Sequence, residues 1–394
     1  MTRRSHYDAA IIGLGTMGSF TAVELARRGL SVVGFDRFTP PHDRGSHSGG
    51  TRIYRVAYPE GTGYVNLVQR AGELWDEAAE QFGTKLLHRI GMLYMGPPGE
   101  AFLQTVQDSA TTNHLQVESL SASEVCRRYP AFEIPENYAG ILDAQAGWID
   151  LDASIRGSRA HASALGAECV LDQPVMGWSA SGDHVRVELE NETVTAGSLV
   201  ITAGAWAGQL LRDLGLPLTV RRKVLAWFDP LKPELFAADR IPVFTFPENF
   251  LYGFPTVPGF GVKMAEHFGG IDLPDADSPV APPDASDLDP ICRVASKYMP
   301  KLAGPYPGSA ARLHRSMTCL YTLTPDEHFI VDRHPVFRNV VFGAGFSGHG
   351  FKFAPLIGTA LADLVINGTT SLPIDFLSVQ RFFSAAGQKE RLDD

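Results

Sequence analysis

The stretch from Tyr7 to Asp36 constrains the fold of this chain more than any other. It reads as a short apolar strand, a glycine turn with the spacing G-x-G-x-x-G, a helix, and a second apolar strand that ends in Asp36. Gly13 permits the sharp turn, Gly15 lets the backbone approach a pyrophosphate, and Gly18 lets the helix pack closely on the strand. The helix N-terminus offers N–H groups to phosphates, and a carboxylate at the strand end can accept hydrogen bonds from a ribose. These positions predict a dinucleotide site.

The motif by itself does not separate FAD from NAD. Its position at the N-terminus favours FAD, because most of the chain then remains to wrap around the cofactor. A net charge of −10 argues against nucleic acid and anionic membranes as partners, since both are bound by a basic face. No segment approaches the ~20 apolar residues of a membrane helix. Four scattered cysteines are too few for a disulfide scaffold or a zinc site, so we expect a cytoplasmic protein.

The later patterns predict an α/β fold with a discontinuous nucleotide domain and a second, mainly antiparallel domain inserted into it. Helix and strand patterns return to the nucleotide domain at Gly147, and the apolar run 198–205 leads into another glycine turn. The expected Rossmann-like domain consists of residues 1–85, 147–220 and 323–394, and the expected second domain of residues 86–146 and 221–322.

A second glycine-rich segment, residues 45–55, leads into two arginines. Dense glycine lets the backbone lie flat against a ligand. If Thr51 opens a helix, Arg52 and Arg55 share one face of it. Ordinary surface arginines are the alternative, and the spacing alone does not decide between them.

A hairpin pattern over residues 251–267, with its tip near Pro258, contains three candidate site residues. Lys263 and His267 are four residues apart on one arm and share a face, while Tyr252 lies on the opposing arm. A lysine on the inner face of a sheet requires a partner or a function, whereas a lysine on a wet face is commonplace. Much earlier in the chain, residues 86–96 have a strand-like pattern.

Two further stretches carry groups that could do chemistry. A strand pattern places Cys319 and Tyr321 on one face, although a lone cysteine in a strand is most often a small core residue. His349 and Lys352 lie in a glycine loop that follows a strand, the kind of place where α/β sheets bind ligands. No Ser-His-Asp set or metal cluster stands out, so we expect the chemistry to belong to the cofactor.

Five blocks of the sequence resemble those of one enzyme family. They are GLGTMG, PPHDRGSHSGGTRIYR, YGFP followed by GVKMAEH, TCLYTLTPDEHFIVD, and GFSGHGFKF. Through them the chain closely resembles, nearly from end to end, the monomeric sarcosine oxidase and N-methyltryptophan oxidase family. Members of this family are FAD-dependent secondary-amine oxidases with a substrate domain of the D-amino-acid-oxidase type.

The resemblance implies roles for individual residues. Cys319 would bond covalently to FAD, Lys263 would activate oxygen, and Arg55 and Lys352 would hold the substrate carboxylate. The residues expected to act in catalysis are Lys263, His267, Arg55, Lys352, Tyr252 and Tyr321. The residues expected to contact FAD are Gly13, Gly15, Thr16, Met17, Gly18, Asp36, Arg37, His42, Ser46, Thr51, Arg52, Val175, Ala203, Gly204, Trp206, Cys319, Gly345, Gly348, His349, Gly350 and Lys352.

The resemblance further implies a reaction. A monomeric enzyme would oxidise an N-methyl amino acid by hydride transfer to the flavin, water would hydrolyse the imine, and O2 would be reduced to H2O2. Its partners would be a small secondary amino acid and O2. Two alternatives stay open, namely a related dehydrogenase that uses another acceptor and a non-catalytic redox sensor that binds a nucleotide.

The chain also departs from the family pattern. Ser48 and Gly50 stand in GSHSGGTR where the family typically reads GSHHGDTR. Phe244 and Phe246, together with Trp227, would make the substrate pocket more apolar and predict a preference for a bulky substrate. The alternative is that these aromatic side chains fill the core of the second domain.

Overall fold

Strands and helices alternate along the chain much as the hydrophobic patterns predict. The computed structural model describes residues 4, 6–58, 61, 63–257 and 259–383. Its strands are β1 (Tyr7–Ile12), β2 (Val32–Phe35), β3 (Thr51–Tyr54), β4 (Leu87–His88), β5 (Met92–Gly96), β6 (Val117–Ser121), β7 (Ala139–Asp143), β8 (Gly147–Asp150), β9 (Glu168–Val170), β10 (Val175–Ser181), β11 (His184–Leu189), β12 (Thr193–Ile201), β13 (Thr219–Phe228), β14 (Val243–Phe246), β15 (Leu251–Phe254), β16 (Val262–Glu266), β17 (Ile271–Leu273), β18 (Leu313–Leu323), β19 (Ile330–Arg333) and β20 (Val340–Ala344). Its α-helices are α1 (Thr16–Arg27), α2 (Gly63–Phe82), α3 (Ala101–Thr112), α4 (Ala122–Arg128), α5 (Leu151–Ala164), α6 (Ala207–Leu210), α7 (Ala285–Tyr298), α8 (Pro300–Ala303) and α9 (Ala354–Asn367).

An eight-stranded sheet carries the glycine turn. Its strands run in the order β10-β11-β12-β1-β2-β9, and β20 and β19 continue from β12. Strand β1 is parallel to both β2 and β12, which places its residues in the middle of the sheet. Alternate residues of β1 therefore enter two cores: Ala9 and Ile11 pack with α1 and α9, whereas Ala10 and Ile12 pack on the opposite face. This arrangement confirms the predicted α/β fold.

A nine-stranded sheet forms the second layer. Its order is β17-β13-β16-β15-β14-β5-β7-β6, and β18 pairs with β13 along its whole length. Antiparallel pairing predominates, although β14 and β5 are parallel. One face packs on α7 and α8 through a large apolar cluster. The other face carries polar side chains and is described with the site below.

A three-stranded sheet of order β3-β8-β4 involves two segments that the sequence patterns singled out. Thr51 opens strand β3 and not a helix, because its neighbours pair with β8. The strand-like segment 86–96 is divided at Gly91, whose φ of +83° turns the chain. Its first part, β4, pairs with β8, and its second part, β5, joins the nine-stranded sheet.

The expected hairpin is present, with β15 and β16 antiparallel to each other. Pro258, near its expected tip, lies outside the described residues, as does the 384–394 portion of the expected nucleotide domain. The limits of the two domains stay a prediction. Among the described helices, none combines the length and the apolar character that a membrane crossing requires.

Candidate active site

A cavity of about 1220 Å³ opens at the carboxyl ends of β1, β2 and β12. Gly13 adopts a φ of +95° there, and a Cβ atom at Gly18 would overlap the carbonyl oxygen of Gly13. Helix α1 begins after Gly15 without a side-chain cap and without an acidic residue in its first turn. Its N-terminal N–H groups are therefore available to an anion such as a pyrophosphate.

Asp36 lies at the end of β2 and lines the same cavity. One carboxylate oxygen accepts a hydrogen bond from the Leu14 N–H at 2.8 Å, and the other accepts one from the Phe38 N–H at 2.9 Å. Burial raises the pKa of Asp36 to about 6, against these two hydrogen bonds. Each oxygen retains lone pairs that a ribose hydroxyl can use.

Most residues that were expected to contact FAD line this cavity. These are Gly13, Gly15, Thr16, Met17, Asp36, Arg37, His42, Ser46, Arg52, Val175, Ala203, Gly204, Trp206, Gly345, Gly348 and Gly350. Two buried polar atoms of the lining, Nε2 of His47 and Oγ1 of Thr322, have no hydrogen-bond partner within the part of the chain that the structure describes. Because buried polar groups are normally paired, these two atoms are suited to a polar ligand in the cavity. The lining thus fits a dinucleotide such as FAD.

Five of the expected FAD contacts do not line the cavity: Gly18, Thr51, Cys319, His349 and Lys352. Each is next to or near a residue that does. Gly18 serves the packing of α1 on the glycine turn, and Cys319 directly precedes three lining residues, 320–322.

Sequence reasoning missed an ionic contact at the mouth of the cavity. Asp277 accepts hydrogen bonds from Arg37 Nη1 at 2.6 Å, from Trp206 Nε1 at 2.9 Å and from Gln209 Nε2 at 3.3 Å. Asp277 lies in the loop between β17 and α7, whereas its three partners belong to the nucleotide-binding part. No local motif signals such a contact, because Arg37 and Asp277 are 240 positions apart.

The two arginines of the glycine-rich segment lie in different surroundings. Arg52 lines the cavity and donates to the carbonyl oxygens of Ser46 and Ser48 at 2.6 and 2.7 Å. Arg55 is buried, and its guanidinium carbon lies 4.8 Å from the centre of the Tyr58 ring. The two arginines would share a helix face only if Thr51 opened a helix, and this condition is not met, because residues 51–54 form a strand.

A buried cluster surrounds Arg55. Lys352 Nζ lies 5.2 Å from the centre of the same Tyr58 ring and donates to the His349 carbonyl oxygen at 2.7 Å. The Tyr58 hydroxyl lies 2.5 Å from His349 Nδ1. Arg55 and Lys352, separated by 297 positions in the sequence, are therefore brought to one aromatic ring. Tyr58 was not among the predicted site residues.

The polar face of the nine-stranded sheet, here called the site face, carries Lys223, Trp227, Lys263, Cys319 and Tyr321. Antiparallel register places Lys223 opposite Cys319 and Trp227 opposite Lys263, so these side chains point to one side. Cys319 and Tyr321 share this face, as their alternation predicts. Burial raises the pKa of the Cys319 thiol, while the charges of Arg52, Lys263 and Lys223 act in the opposite direction.

Lys263 is buried on the site face, as expected for an inward-facing lysine. Its Nζ donates to the carbonyl oxygens of Gly49 and Thr51 at 3.0 Å each and lies 3.2 Å from the Thr51 hydroxyl. Burial lowers the pKa of Lys263 well below its usual range, and the charge of Arg52 adds to this effect. The three oxygen atoms match the three donors of an ammonium group and offset part of the cost of burial.

Tyr252, Tyr321 and His267 lie together on the face of the sheet that also carries Lys263. The two tyrosines interact through a side-chain hydrogen bond, and the His267 ring centre lies 5.9 Å from that of Tyr321. Burial raises the pKa of Tyr252 to about 12, so its phenol is neutral at physiological pH. Of the six expected catalytic residues, only Tyr321 lines the nucleotide cavity itself.

Phe244 and Phe246 do not face this cluster. Both are fully buried in the apolar cluster beneath the other face of the sheet, which we call the core face. The Phe246 ring stacks on that of Tyr298 in α7, with centres 4.5 Å apart. The expectation that these phenylalanines shape a substrate pocket is therefore wrong, and two of the three supports for a bulky substrate are removed.

Comparison with known proteins places the chain among flavin enzymes. The family described as FAD dependent oxidoreductase matches residues 8–364. The chain is 37% identical over 386 residues to the monomeric sarcosine oxidase of Bacillus sp. (strain B-0618), covering 96% of each chain. It is 34% identical over 382 residues to the N-methyl-L-tryptophan oxidase of Yersinia pestis (strain Pestoides F), covering 95% of this chain and 99% of that one.

Solved structures agree with this placement. The Tyr258Phe mutant of NikD, described as an unusual amino acid oxidase essential for nikkomycin biosynthesis, superposes with a TM-score of 0.84 at 25% identity over 95% of this chain and 97% of that one. The glycine oxidase of Geobacillus kaustophilus shares the fold, with a TM-score of 0.80 at 19% identity over 97% of this chain and 100% of that one.

Proposed function

This chain belongs to the family of FAD-dependent oxidoreductases, and from that premise we propose that it oxidises N-alkyl amino acids, with N-methyl amino acids as the expected substrates. It is a secondary-amine oxidase. In the reaction the amine is oxidised to an imine, water hydrolyses the imine to an aldehyde and a primary amine, and O2 is reduced to H2O2.

One observation carries the choice of an amino acid as substrate. Arg55 and Lys352 are both buried, and both lie against the Tyr58 ring, so their cationic atoms are no more than ~10 Å apart. Gly348 and Gly350, close to Lys352 in the chain, line the nucleotide cavity, so this pair of cations lies near it. Two cations in a buried setting can bind and orient a carboxylate, and an arginine fork also fixes its direction.

The bound FAD supplies the two-electron acceptor of the reaction. Arg55 and Lys352 hold the substrate carboxylate, which orients the N-alkyl carbon. Tyr252, Tyr321 and His267 form the wall beside it and exclude water. The neutral Tyr252 phenol offers a hydrogen bond to the substrate without adding charge.

Lys263 acts on oxygen in this proposal. Transfer of the first electron to O2 creates a negative charge, and a lysine fixed by Gly49 and Thr51 stabilises that charge without reorganisation. The apolar surroundings strengthen this interaction, because they contain little water to screen it.

We further propose that FAD is bound covalently to the Cys319 sulfur. The position of Cys319 supports this, since the next three residues line the cavity. Acid precipitation of the purified protein should give a yellow pellet, and Cys319→Ala a colourless one. Full release of flavin from the unaltered protein would rule out the bond.

We propose that the protein is a monomer in the cytoplasm. We also propose that it has a nucleotide domain of residues 1–85, 147–220 and 323–394 and a substrate domain of residues 86–146 and 221–322. The four cysteines, all within the described residues, form no disulfide, which supports a reducing compartment.

A peroxide assay in air tests the function directly. We expect H2O2 with sarcosine, N-methyltryptophan, proline, pipecolate or another N-alkyl amino acid. We expect none with analogues of these amines that lack the carboxylate. Reduction of the flavin by these substrates without peroxide would indicate a dehydrogenase with another acceptor. Absence of flavin reduction by every compound would overturn the proposal.

A further inference from the structure

The Tyr58 ring contacts both cations of the proposed carboxylate site, Arg55 and Lys352. Tyr58 follows β3 in the chain, is fully buried, and its backbone N–H donates to the Ser109 hydroxyl of α3 at 3.1 Å. This backbone bond fixes where the ring enters the cluster. Both Arg55 and Lys352 lie within 5.2 Å of its centre. An aromatic face attracts cations, most strongly where water is excluded.

The donor and acceptor chemistry of this cluster fixes the direction of its hydrogen bonds. A lysine ammonium only donates, so the long 3.5 Å contact from Lys352 Nζ makes the Tyr58 hydroxyl oxygen the acceptor. The tyrosine proton then points to His349 Nδ1, 2.5 Å away. His349 Nε2 lies 2.9 Å from the Glu327 carbonyl oxygen, which only accepts, so Nε2 carries the imidazole proton.

We infer that Tyr58 is a positioning residue for substrate recognition, because its ring and hydroxyl together set the distance between Arg55 and Lys352 and hold His349 in the neutral Nε2–H form. This inference rests on the proposed function, in which Arg55 and Lys352 bind the substrate carboxylate. The hydroxyl directs Lys352, and the ring supports Arg55. The chain of donors runs from Lys352 through Tyr58 and His349 to the backbone at Glu327.

Tyr64 provides a matched control. Its ring centre lies 5.2 Å from that of Tyr58, and it is equally buried. Its hydroxyl lies 3.2 Å from His328 Nδ1 and accepts from the Phe329 N–H at 3.3 Å, which directs it away from both cations. Tyr64→Phe therefore removes a buried phenol from the same aromatic cluster without touching the proposed carboxylate site.

The experiment measures binding of butyrate and butyramide to the FAD-loaded enzyme by the change in flavin absorbance. Butyrate has the shape of sarcosine with a methylene in place of the nitrogen, and butyramide lacks its charge. Tyr58→Phe should weaken butyrate binding about tenfold through loss of the hydroxyl. Tyr58→Leu should weaken it by about a further fivefold through loss of the ring. Butyramide binding should change by less than about twofold in both variants, and Tyr64→Phe should leave both ligands unaffected.

Each outcome decides the inference. Unchanged butyrate binding in Tyr58→Phe, or equal weakening of butyrate and butyramide, would overturn it while leaving the proposed function intact. Absence of butyrate binding to the unaltered enzyme, together with absence of peroxide from every amino acid, would overturn the proposed function instead. If the Tyr58 variants do not fold, nitrogen NMR of the unaltered enzyme with isotopically labelled histidine tests the inference instead, because it reports which ring nitrogen of His349 carries the proton. A proton on Nδ1 of His349, identified by loss of its signals in His349→Gln, would contradict the inference.

Discussion

The two faces of the nine-stranded sheet differ in what they bury, although their residues alternate in the same strands. The core face presents Phe228, Phe244 and Met264 to α7 and α8 and contains apolar side chains almost throughout. The site face carries Lys223, Lys263 and other polar groups that are nearly as buried. Burial of a charge is costly without compensation. One face therefore stabilises the sheet, whereas the other retains costly groups that serve binding and chemistry.

Residues that stabilise the sheet and residues that serve binding and chemistry alternate along the same strands. Lys263 and Met264 are neighbours in β16, yet one contacts the glycine-rich segment and the other the helical layer. A strand places successive side chains on opposite faces, so a shift of one position exchanges the two roles. The three predictions that follow test this division, beginning with the largest expected free-energy change.

On the core face, Phe244→Ala should lower the free energy of unfolding by about 3 to 5 kcal/mol, because it leaves a cavity in a packed aromatic cluster. The Phe244 ring lies 5.3 Å from that of Phe132 and 5.8 Å from that of Phe246. Denaturant unfolding measures the loss. The folded fraction should bind butyrate and reduce its flavin as the unaltered enzyme does. Impaired butyrate binding at unchanged stability would instead indicate that Phe244 lines the substrate pocket.

On the site face, Lys263→Met should slow reoxidation of the reduced flavin by about 10²- to 10³-fold, the scale of losing one electrostatic stabiliser. Flavin reduction by substrate should change far less. Stopped-flow absorbance with anaerobic mixing separates the two half-reactions. Lys223→Met is the matched control, since Lys223 is a buried lysine on the same face whose Nζ bonds the carbonyl oxygens of Phe268 and Gly269 at 2.7 and 3.0 Å. Equal losses in both half-reactions of Lys263→Met would refute the role in oxygen activation.

The titration of Lys223 also tests the comparison between the two faces, because it measures the cost of a buried charge on the site face. Burial lowers the pKa of Lys223 from 10.5 to about 8. Between these values the unfolded chain binds the proton that the folded chain has released, so the stability of the folded state rises with pH. Relative to Lys223→Met, the unaltered protein should therefore gain about 1 to 3 kcal/mol of stability from pH 8 to 10.5. Parallel pH profiles of unfolding for the two proteins would show that Lys223 does not titrate in this range.

Local rules predicted most of the fold. The glycine turn, α1 and Asp36 follow from residues within one short stretch, and the strand alternation of Cys319 and Tyr321 follows from period two. The condition that Thr51 opens a helix is not met, because an arginine spacing carries no information about strand partners. Strand β3 exists through its pairing with β8, about a hundred positions later.

The site residues also divide into those that the sequence predicted and those that it did not. The hairpin pattern identified Lys263 as a candidate and the family resemblance implied its role, and its register with Trp227 gives it a fixed place on the site face. Tyr58 and Asp277 were missed because their importance lies in contacts with distant residues. Tyr58 meets Lys352 across 294 positions, and no spacing rule reaches that far. His47 was in a recognised glycine-rich segment, but the sequence cannot show that its Nε2 lacks a partner among the described residues, which depends on the folded structure.

The contact of Asp277 with Arg37 bears on how the holoenzyme is assembled. The wall of the nucleotide cavity draws Gly13 and Asp36 from one sheet and Thr322 and Asp277 from the layer built on the other. A binding site shared in this way is complete only after both layers have folded and met. A ligand that binds only the folded state stabilises it by mass action. We therefore expect FAD to act as a late folding partner, so that flavin supply during synthesis governs how much of the chain reaches its mature form.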